Sequence, residues 1–296
     1  MTAKQLEGLV NLLRSRPAPQ NQDVVQARER FEKMAVYVGG APDAKCETVD
    51  AGGVPAEWVM APGCDAGRAI LYLHGGGYAI GSLNTHRRLA YDISAASAAK
   101  VLLIDYRLAP EHPFPAAVDD AAAAWRWLLQ QGFAANRLAI AGDSAGGGLT
   151  IATLVNLRDK KLGLPACAIA ISPWVDLEGL GNSITARAAQ DPMVQKQGLL
   201  WMAGLYLAGK DPKTPLAAPL HADLKGLPPI LIQVGSAETL LDDATRIAEK
   251  LHAAGGEVRL AVWPNMLHVF PLFAPILSEG RDGCLEIGNF IRAKTA

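Results

Sequence analysis

The sequence GDSAG, at residues Gly142–Gly146, marks the centre of this fold. It directly follows a strand predicted over Leu138–Ala141 and directly precedes a helix predicted over Gly146–Arg158. The pattern G-x-S-x-G in this setting is typical of a sharp strand-to-helix turn, whose glycines leave room for a serine in a strained backbone conformation. The start of the helix also favours negative charge near Ser144. A plain glycine-rich turn can show the same five letters, but the strand and the helix around it favour a nucleophilic Ser144.

Apolar strands alternate with helices before and after this turn. The other predicted strands are Lys45–Asp50, Val54–Ala61, Ala69–Leu73, Val101–Asp105, Cys167–Ile171, Ile230–Val234 and Val258–Val262. The other predicted helices lie near Val24–Met34, Arg87–Ala99, Ala116–Gln130, Asp242–Ala254 and Gly280–Ala293. Continuous apolar strands separated by helices indicate an α/β architecture, in which helices cover both faces of a mostly parallel sheet.

Two segments do not follow this alternation. The N-terminal segment is predicted to form an amphipathic helix, a proline-containing break at Arg16–Pro19 and a second helix. The segment from Trp174 to about Leu220 is too long for an ordinary connection between a strand and a helix. We therefore predict a helical cap over the C-terminal ends of the strands. The predicted cap comprises residues 1–45 and 176–215, and the predicted catalytic core comprises residues 46–175 and 216–296.

The composition excludes several classes of function. The chain has 296 residues, a formal net charge of −1 and 19% charged residues, so no basic surplus indicates a nucleic acid or a membrane surface as partner. Its apolar stretches have the length of strands, and its first helix lacks the features of a signal peptide. The cysteines show no metal-binding spacing, so we predict reduced thiols, a cytoplasmic protein, and neither a metal nor an organic cofactor. These cysteines are Cys46, Cys64, Cys167 and Cys284.

A second motif, His74-Gly75-Gly76-Gly77, follows the strand Ala69–Leu73. In hydrolases with a G-x-S-x-G turn, such a loop supplies backbone N–H groups to the negative oxygen of a tetrahedral intermediate. Glycines allow the backbone to approach the substrate closely. We predict that Gly76, Gly77 and Ala145 are the donors of this oxyanion hole and that His74 orients the loop.

A nucleophilic serine needs a base, and position selects His268 among six histidines. His268 lies in a loop after the last strand, at the same edge of the sheet as Ser144, and it satisfies the chain order serine, acid, histidine. The other histidines lie in less suitable places, namely the glycine loop, the start of a helix, a proline-rich turn, the end of the cap segment and the interior of a helix. They are His74, His86, His112, His221 and His252.

The acid is expected in the loop after the strand Ile230–Val234, where three carboxylates compete. Asp242 and Asp243 stand at the start of a helix, where aspartate most often caps backbone N–H groups. Glu238 lies nearer the end of the strand, so we predict that it orients His268 and stabilises its protonated form. Asp242 is kept as the alternative. For Asp143, beside the nucleophile, a local hydrogen-bonding role in the turn is predicted.

Three linked motifs resemble the GDSAG branch of the hormone-sensitive-lipase-like esterases. They are His74–Gly77, the sequence DYRLAPE at Asp105–Glu111 followed by FPAA at Phe114–Ala117, and Gly142–Gly146. The resemblance implies an α/β-hydrolase fold with a helical cap, and a carboxylesterase that prefers short-to-medium acyl chains. A homodimer formed through an edge strand is common among the resembling enzymes. The chain departs from the family at the acid, because the family has Asp-Pro-Leu where this sequence has Glu238-Thr239-Leu240.

The predicted reaction is hydrolysis of a small-molecule ester through an acyl-enzyme on Ser144. An amidase or a lipase on the same scaffold is the first alternative, because pocket shape and not the triad sets specificity. The second is a non-catalytic ligand receptor of the kind that resembles this family but has lost the histidine. His268 argues against that alternative. Arg107 and Glu111, in the segment of prolines, are predicted to be structural.

Overall fold

A computed structural model describes residues 2–15, 23–41 and 43–296. The predicted break at Arg16–Pro19 lies outside these residues. Within them, no helix is both long and apolar enough to cross a membrane.

The predicted sheet is confirmed, and it has eight strands in the order β1-β2-β4-β3-β5-β6-β7-β8. Strand β2 pairs antiparallel with β1 and β4, and every other pairing is parallel. The strands are β1 Lys45–Asp50, β2 Pro55–Met60, β3 Asp65–Leu73, β4 Ala99–Ile104, β5 Leu138–Asp143, β6 Cys167–Ile171, β7 Ile230–Gly235 and β8 Val258–Trp263. Parallel pairing brings the carboxyl ends of β3, β5, β6, β7 and β8 to one edge of the sheet.

The helices are α1 Thr2–Arg14, α2 Val24–Val38, α3 Leu83–Ser97, α4 Ala116–Gln130, α5 Ala145–Asp159, α6 Ser183–Ala186, α7 Lys196–Leu207, α8 Leu241–Ala253 and α9 Ser278–Lys294. Helix α3 begins before its predicted start at Arg87. The reason is a capping box, in which the Ser82 hydroxyl accepts the Thr85 amide at 3.3 Å and the Thr85 hydroxyl accepts the Ser82 amide at 2.9 Å.

Two hydrophobic clusters lie on opposite faces of the sheet. Side chains alternate between the faces along a strand, so Leu71 and Leu73 belong to one cluster and Ile70 and Tyr72 to the other. Helices α4, α5 and α8 pack on the first face, and α3 and α9 pack on the second. The helices and the two clusters therefore cover both faces of the sheet. The edge formed by the carboxyl ends of the strands is where a functional site is expected.

The segments predicted as the cap contact the loop that follows β3. Arg28 of α2 donates to the carbonyl oxygens of Ala79 at 2.8 Å and Ala109 at 2.9 Å. The ring of Tyr206 in α7 stacks on that of Tyr78, with centroids 3.7 Å apart. These contacts tie both the N-terminal segment and the insertion to the same loop. The exact boundaries of core and cap stay a prediction.

A tight backbone crossing fixes the turn between β5 and α5. A Cβ atom added to Gly146 would overlap the backbone oxygen of Leu73, which cannot move without disturbing β3. Gly204, in α7, is exposed and has nothing within 4 Å of the same position.

We expect Gly146→Ala to lower the free energy of unfolding by about 3 kcal/mol, because the added methyl group overpacks a rigid crossing. The matched variant Gly204→Ala should raise it by about 0.5–1 kcal/mol, since alanine favours an exposed helical site. Urea unfolding of both variants measures the difference. Equal stabilities of the two variants would contradict a close contact between Gly146 and the Leu73 backbone.

Candidate active site

Ser144 lies between β5 and α5 in a strained turn. Its φ is 54°, in the left-handed region that residues other than glycine rarely adopt. Hydrogen bonds to neighbouring residues stabilise this strained conformation. The Ser144 amide donates to the Ile171 carbonyl at 2.8 Å, and the Ser144 carbonyl accepts the amides of Gly148 and Trp174 at 3.1 and 2.9 Å. The side chain is half-buried at the carboxyl-end edge of the sheet.

Glu238 and His268 are in direct contact. Glu238 follows β7, is fully buried, and places its Oε2 atom 2.6 Å from Nδ1 of His268. Its other oxygen, Oε1, accepts the Gly235 amide at 2.6 Å and the Ser172 hydroxyl at 2.7 Å. Because Glu238 binds Nδ1, the other ring nitrogen, Nε2, can bind a different partner. A histidine that acts as a general base accepts a proton on this second nitrogen.

Two opposing effects act on the pKa of His268. Burial alone lowers it, but the Glu238 carboxylate, its hydrogen bond and the more distant Asp191 and Asp143 carboxylates raise it more. The net pKa lies above the ordinary value of 6.5. The protonated imidazole is therefore stabilised, which assists removal of a proton from a neighbouring hydroxyl.

This shift predicts the pH profile of the reaction. Only neutral His268 can accept a proton, and a raised pKa means that it becomes protonated at a higher pH than an ordinary histidine. We expect kcat/KM to fall as the pH decreases, and the pH at which it reaches half its maximum should lie above 6.5. Initial rates across a pH series with a soluble ester measure it. A profile that stays flat down to the ordinary carboxylate range would contradict the role of His268.

Among the hydrogen bonds and ion pairs of the described residues, the alternative acid, Asp242, has none with Glu238 or His268. Its Oδ2 atom accepts the Ser183 amide at 3.1 Å, and Oδ2 of Asp243 accepts the amides of Val175 and Asp176, each at 2.9 Å. The prediction that these aspartates cap their own helix is wrong, because they bind the inserted segment instead. Buried amides of that segment lack partners in a helix or sheet, and the two carboxylates supply them.

The glycine loop and the start of α5 present free backbone donors. Gly76 and Gly77 have φ values of 116° and 61°, which only glycine adopts readily. In the part of the chain that the structure describes, the amides of Gly76, Gly77 and Ala145 have no hydrogen-bond acceptor. Such donors suit an oxyanion hole, and that role stays a prediction.

His74, the first residue of this loop, contacts both the loop backbone and Tyr106. Its ring is buried, stacks on Tyr106 with centroids 4.2 Å apart, and places Nδ1 2.7 Å from the Gly75 carbonyl oxygen. The Tyr106 hydroxyl donates to the His74 carbonyl at 2.7 Å. Burial, followed by the proximity of His86, lowers the pKa of His74 to about 3. A neutral histidine held in this way orients the loop, as the sequence predicts.

Asp143 links the nucleophile turn to the same loop. Its Oδ1 atom accepts the Gly75 amide at 3.1 Å and the Tyr72 hydroxyl at 2.8 Å, and its Oδ2 lies 3.3 Å from Nε2 of His86. Burial alone would raise the pKa of Asp143, but His86 and Tyr72 bring it below the ordinary value. The hydrogen-bonding role predicted for Asp143 is therefore confirmed, but its partners lie on β3, the glycine loop and α3 rather than within the turn.

The two charged residues of the proline segment make structural ion pairs. Arg107 lies 2.7 Å from Asp120 of α4, and Glu111 lies 2.6 Å from Arg28 of α2. Neither contacts Ser144, Glu238 or His268 among the interactions of the described residues.

Sequence reasoning missed Ser172, the first residue after β6. It is fully buried, donates its hydroxyl to Glu238, and accepts the Val269 amide at 3.0 Å. No motif marks it. The available signal is its position at the end of the strand between those that carry Ser144 and Glu238.

Among the described residues, one group could hold a metal ion. Asp176, Glu178 and His221 each offer a donor atom, and these atoms lie within 4.8 Å of one another. Cations already accompany both carboxylates, with Arg246 2.7 Å from Asp176 and Lys213 3.7 Å from Glu178. This positive charge opposes a further cation, and the predicted chemistry does not require one.

Comparison with known proteins gives consistent matches. Residues 70–272 match a family model described as the alpha/beta hydrolase fold. The chain is 44% identical over 295 residues to an acetyl-hydrolase of Streptomyces hygroscopicus, covering 100% of this chain and 98% of the relative. It is 33% identical over 279 residues to an ethyl acetate hydrolase of Pseudomonas putida, covering 88% and 87%. A solved esterase from the bacterial hormone-sensitive lipase family superposes with a TM-score of 0.97, at 47% identity and 99% coverage of each chain.

Proposed function

Because this chain belongs to the hormone-sensitive-lipase-like esterases of the α/β-hydrolase fold, we propose that it cleaves short-to-medium acyl esters through an acyl-enzyme on Ser144. The reaction class follows from the family, and the chain is a carboxylic-ester hydrolase. The observation that carries the assignment of residues is the buried contact of 2.6 Å between Glu238 and His268, at the sheet edge where Ser144 emerges.

In the first step, His268 takes the proton of the Ser144 hydroxyl while the serine oxygen attacks the ester carbonyl. Glu238 keeps the imidazole oriented and stabilises its positive charge. The amides of Gly76, Gly77 and Ala145 donate to the oxyanion. His268 then gives its proton to the leaving alcohol, and the acyl group stays on Ser144.

In the second step, water replaces the alcohol. His268 removes a proton from the water as it attacks the acyl-enzyme, and the same amides hold the second oxyanion. The proton returns to Ser144 as the acid leaves. Atoms and charges balance without a metal or an organic cofactor.

The contacts of the cap support the preference for short acyl chains. A Cβ atom on Gly77 would overlap the sulfur of Met202, so α7 lies directly against the oxyanion loop. Tyr206, one turn further along α7, stacks on Tyr78. These contacts place α7 against the oxyanion loop, and two relatives bear the names acetyl-hydrolase and ethyl acetate hydrolase.

A substrate panel tests this proposal. We expect p-nitrophenyl acetate and butyrate to be hydrolysed much faster than a long-chain triglyceride or an anilide. Labelling by a phosphonate ester should be stoichiometric and should map to the peptide that contains Ser144. Dominant anilide hydrolysis would identify an amidase, and dominant triglyceride hydrolysis a lipase. If the protein hydrolyses none of these esters although His268 is intact, the result would favour the ligand-receptor alternative.

A reducing compartment, the cytoplasm, is proposed as the location. The support is that all four cysteines are free thiols, two of them buried in the core. Fractionation of cells expressing the native chain measures it.

We also propose a homodimer formed through β8. This strand lies at the edge of the sheet, and the side chains of Leu260 and Val262 on it are exposed. Light scattering on the purified protein measures the mass, and Val262→Lys should shift it toward the monomer.

A further inference from the structure

We propose that Ser172 is a positioning residue that holds both Glu238 and the loop of His268 in the geometry for proton transfer. The inference rests on the proposed function, because it assumes that Glu238 and His268 act on Ser144. Ser172 itself is fully buried behind Glu238 and touches no reacting atom in this arrangement.

The first contact fixes the carboxylate. The Ser172 hydroxyl donates to Oε1 of Glu238 at 2.7 Å, and the Gly235 amide donates to the same oxygen at 2.6 Å. Two donors on one oxygen set the plane of the carboxylate, so that Oε2 alone faces Nδ1 of His268. A glutamate has one more rotatable bond than the aspartate usual in this family, and these two donors remove that freedom.

The second contact fixes the loop that presents the base. The Ser172 oxygen accepts the amide of Val269, the residue directly after His268, at 3.0 Å. Val269 has a φ of 50°, and the left-handed region is strongly disfavoured for a β-branched residue. A conformation of this kind persists only where its surroundings impose it, and the bond to Ser172 does so.

Ser172 can serve as an anchor because its own backbone is fixed. It has a φ of 46°, and its amide donates to the Gln233 carbonyl of β7 at 2.7 Å. One hydroxyl thus donates to the acid and accepts from the loop of the base. Alanine can do neither, and a thiol does both weakly.

A double-mutant cycle with Glu238→Gln distinguishes this role from a general contribution to folding. If Ser172 acts partly through Glu238, removing its hydroxyl lowers kcat more while the carboxylate is present, whereas the loss of the bond to Val269 acts in either background. We expect Ser172→Ala alone to lower kcat roughly 10- to 100-fold, with KM nearly unchanged, because the imidazole is misplaced. In the Glu238→Gln background the same change should lower kcat by a distinctly smaller factor, roughly threefold to tenfold, because only the bond to Val269 is then lost with its effect on the base.

Ser236→Ala is the matched control. The Ser236 hydroxyl also accepts an amide of the His268 loop, that of Asn265 at 2.8 Å, but it makes no contact with Glu238. Its removal should change kcat less than about threefold, as expected for an exposed bond that does not involve the acid.

Two results would overturn the proposal: a parental kcat in Ser172→Ala, or an equal loss of kcat with and without the Glu238 carboxylate. Ser172→Cys preserves the volume of the side chain, and the same cycle with it applies if Ser172→Ala does not fold. Failure of the proposed function is a separate outcome, since it appears as ester hydrolysis that persists in Ser144→Ala. Equal losses at Ser172 in an enzyme that Ser144→Ala inactivates would reject only the positioning role.

Discussion

Ser144→Ala is expected to lower kcat for p-nitrophenyl acetate by about 10⁵- to 10⁶-fold, because alanine removes the hydroxyl that forms the acyl-enzyme in the proposed reaction. The residual rate should come from those amides and from substrate binding alone. Single-turnover and steady-state assays of the purified variant measure the loss.

The fold of this variant serves as its internal control. Alanine keeps the backbone bonds of residue 144 to Ile171, Gly148 and Trp174, so the melting temperature should change little. Phosphonate labelling should disappear together with turnover. Hydrolysis at the parental rate would mean that the ester is cleaved by a residue other than Ser144.

Glu238→Gln is expected to lower kcat by about 10³- to 10⁴-fold while the protein stays folded. The amide that replaces the carboxylate carries no charge to stabilise protonated His268, and its NH₂ group can reverse the tautomer of the imidazole. The acid limb of the pH profile should also move to lower pH, because the carboxylate that raises the pKa of His268 is gone. Rates across the pH series measure both effects.

Asp242→Asn is the matched comparison for that variant. Its carboxylate accepts the Ser183 amide and does not contact His268, so kcat should change less than about threefold. The reverse pattern, with a large loss in Asp242→Asn and a small one in Glu238→Gln, would make Asp242 the triad acid.

The parts of the fold that the sequence predicts are those set by local patterns. Each apolar run from Ala69 to Val262 became a strand, because periodicity and length are properties of neighbouring residues. The motifs at His74 and Ser144 fall at strand ends for the same reason. Helix α3 begins earlier than predicted because its start depends on the two hydroxyls of a capping box, those of Ser82 and Thr85.

Sequence patterns could not predict the contacts that hold the site together, because these contacts join residues that are distant along the chain. Ser172 meets Val269 ninety-seven positions away, and Asp243 meets Val175 sixty-eight positions away. A lone serine after a strand, or an aspartate at a helix start, has many common local roles. Only the packing of the insertion against α8 and the strand order bring these partners together.

Arg28 has a consequence for engineering. Its guanidinium joins the N-terminal helix α2 to two carbonyl groups beside the oxyanion loop and to the carboxylate of Glu111. A chimera that receives its N-terminal segment from a related esterase would therefore replace Arg28 but keep Glu111, so the two residues of the ion pair would come from different proteins. The transferable unit comprises Arg28 together with Glu111, so segment swaps that keep both residues should preserve this contact between α2 and the loop.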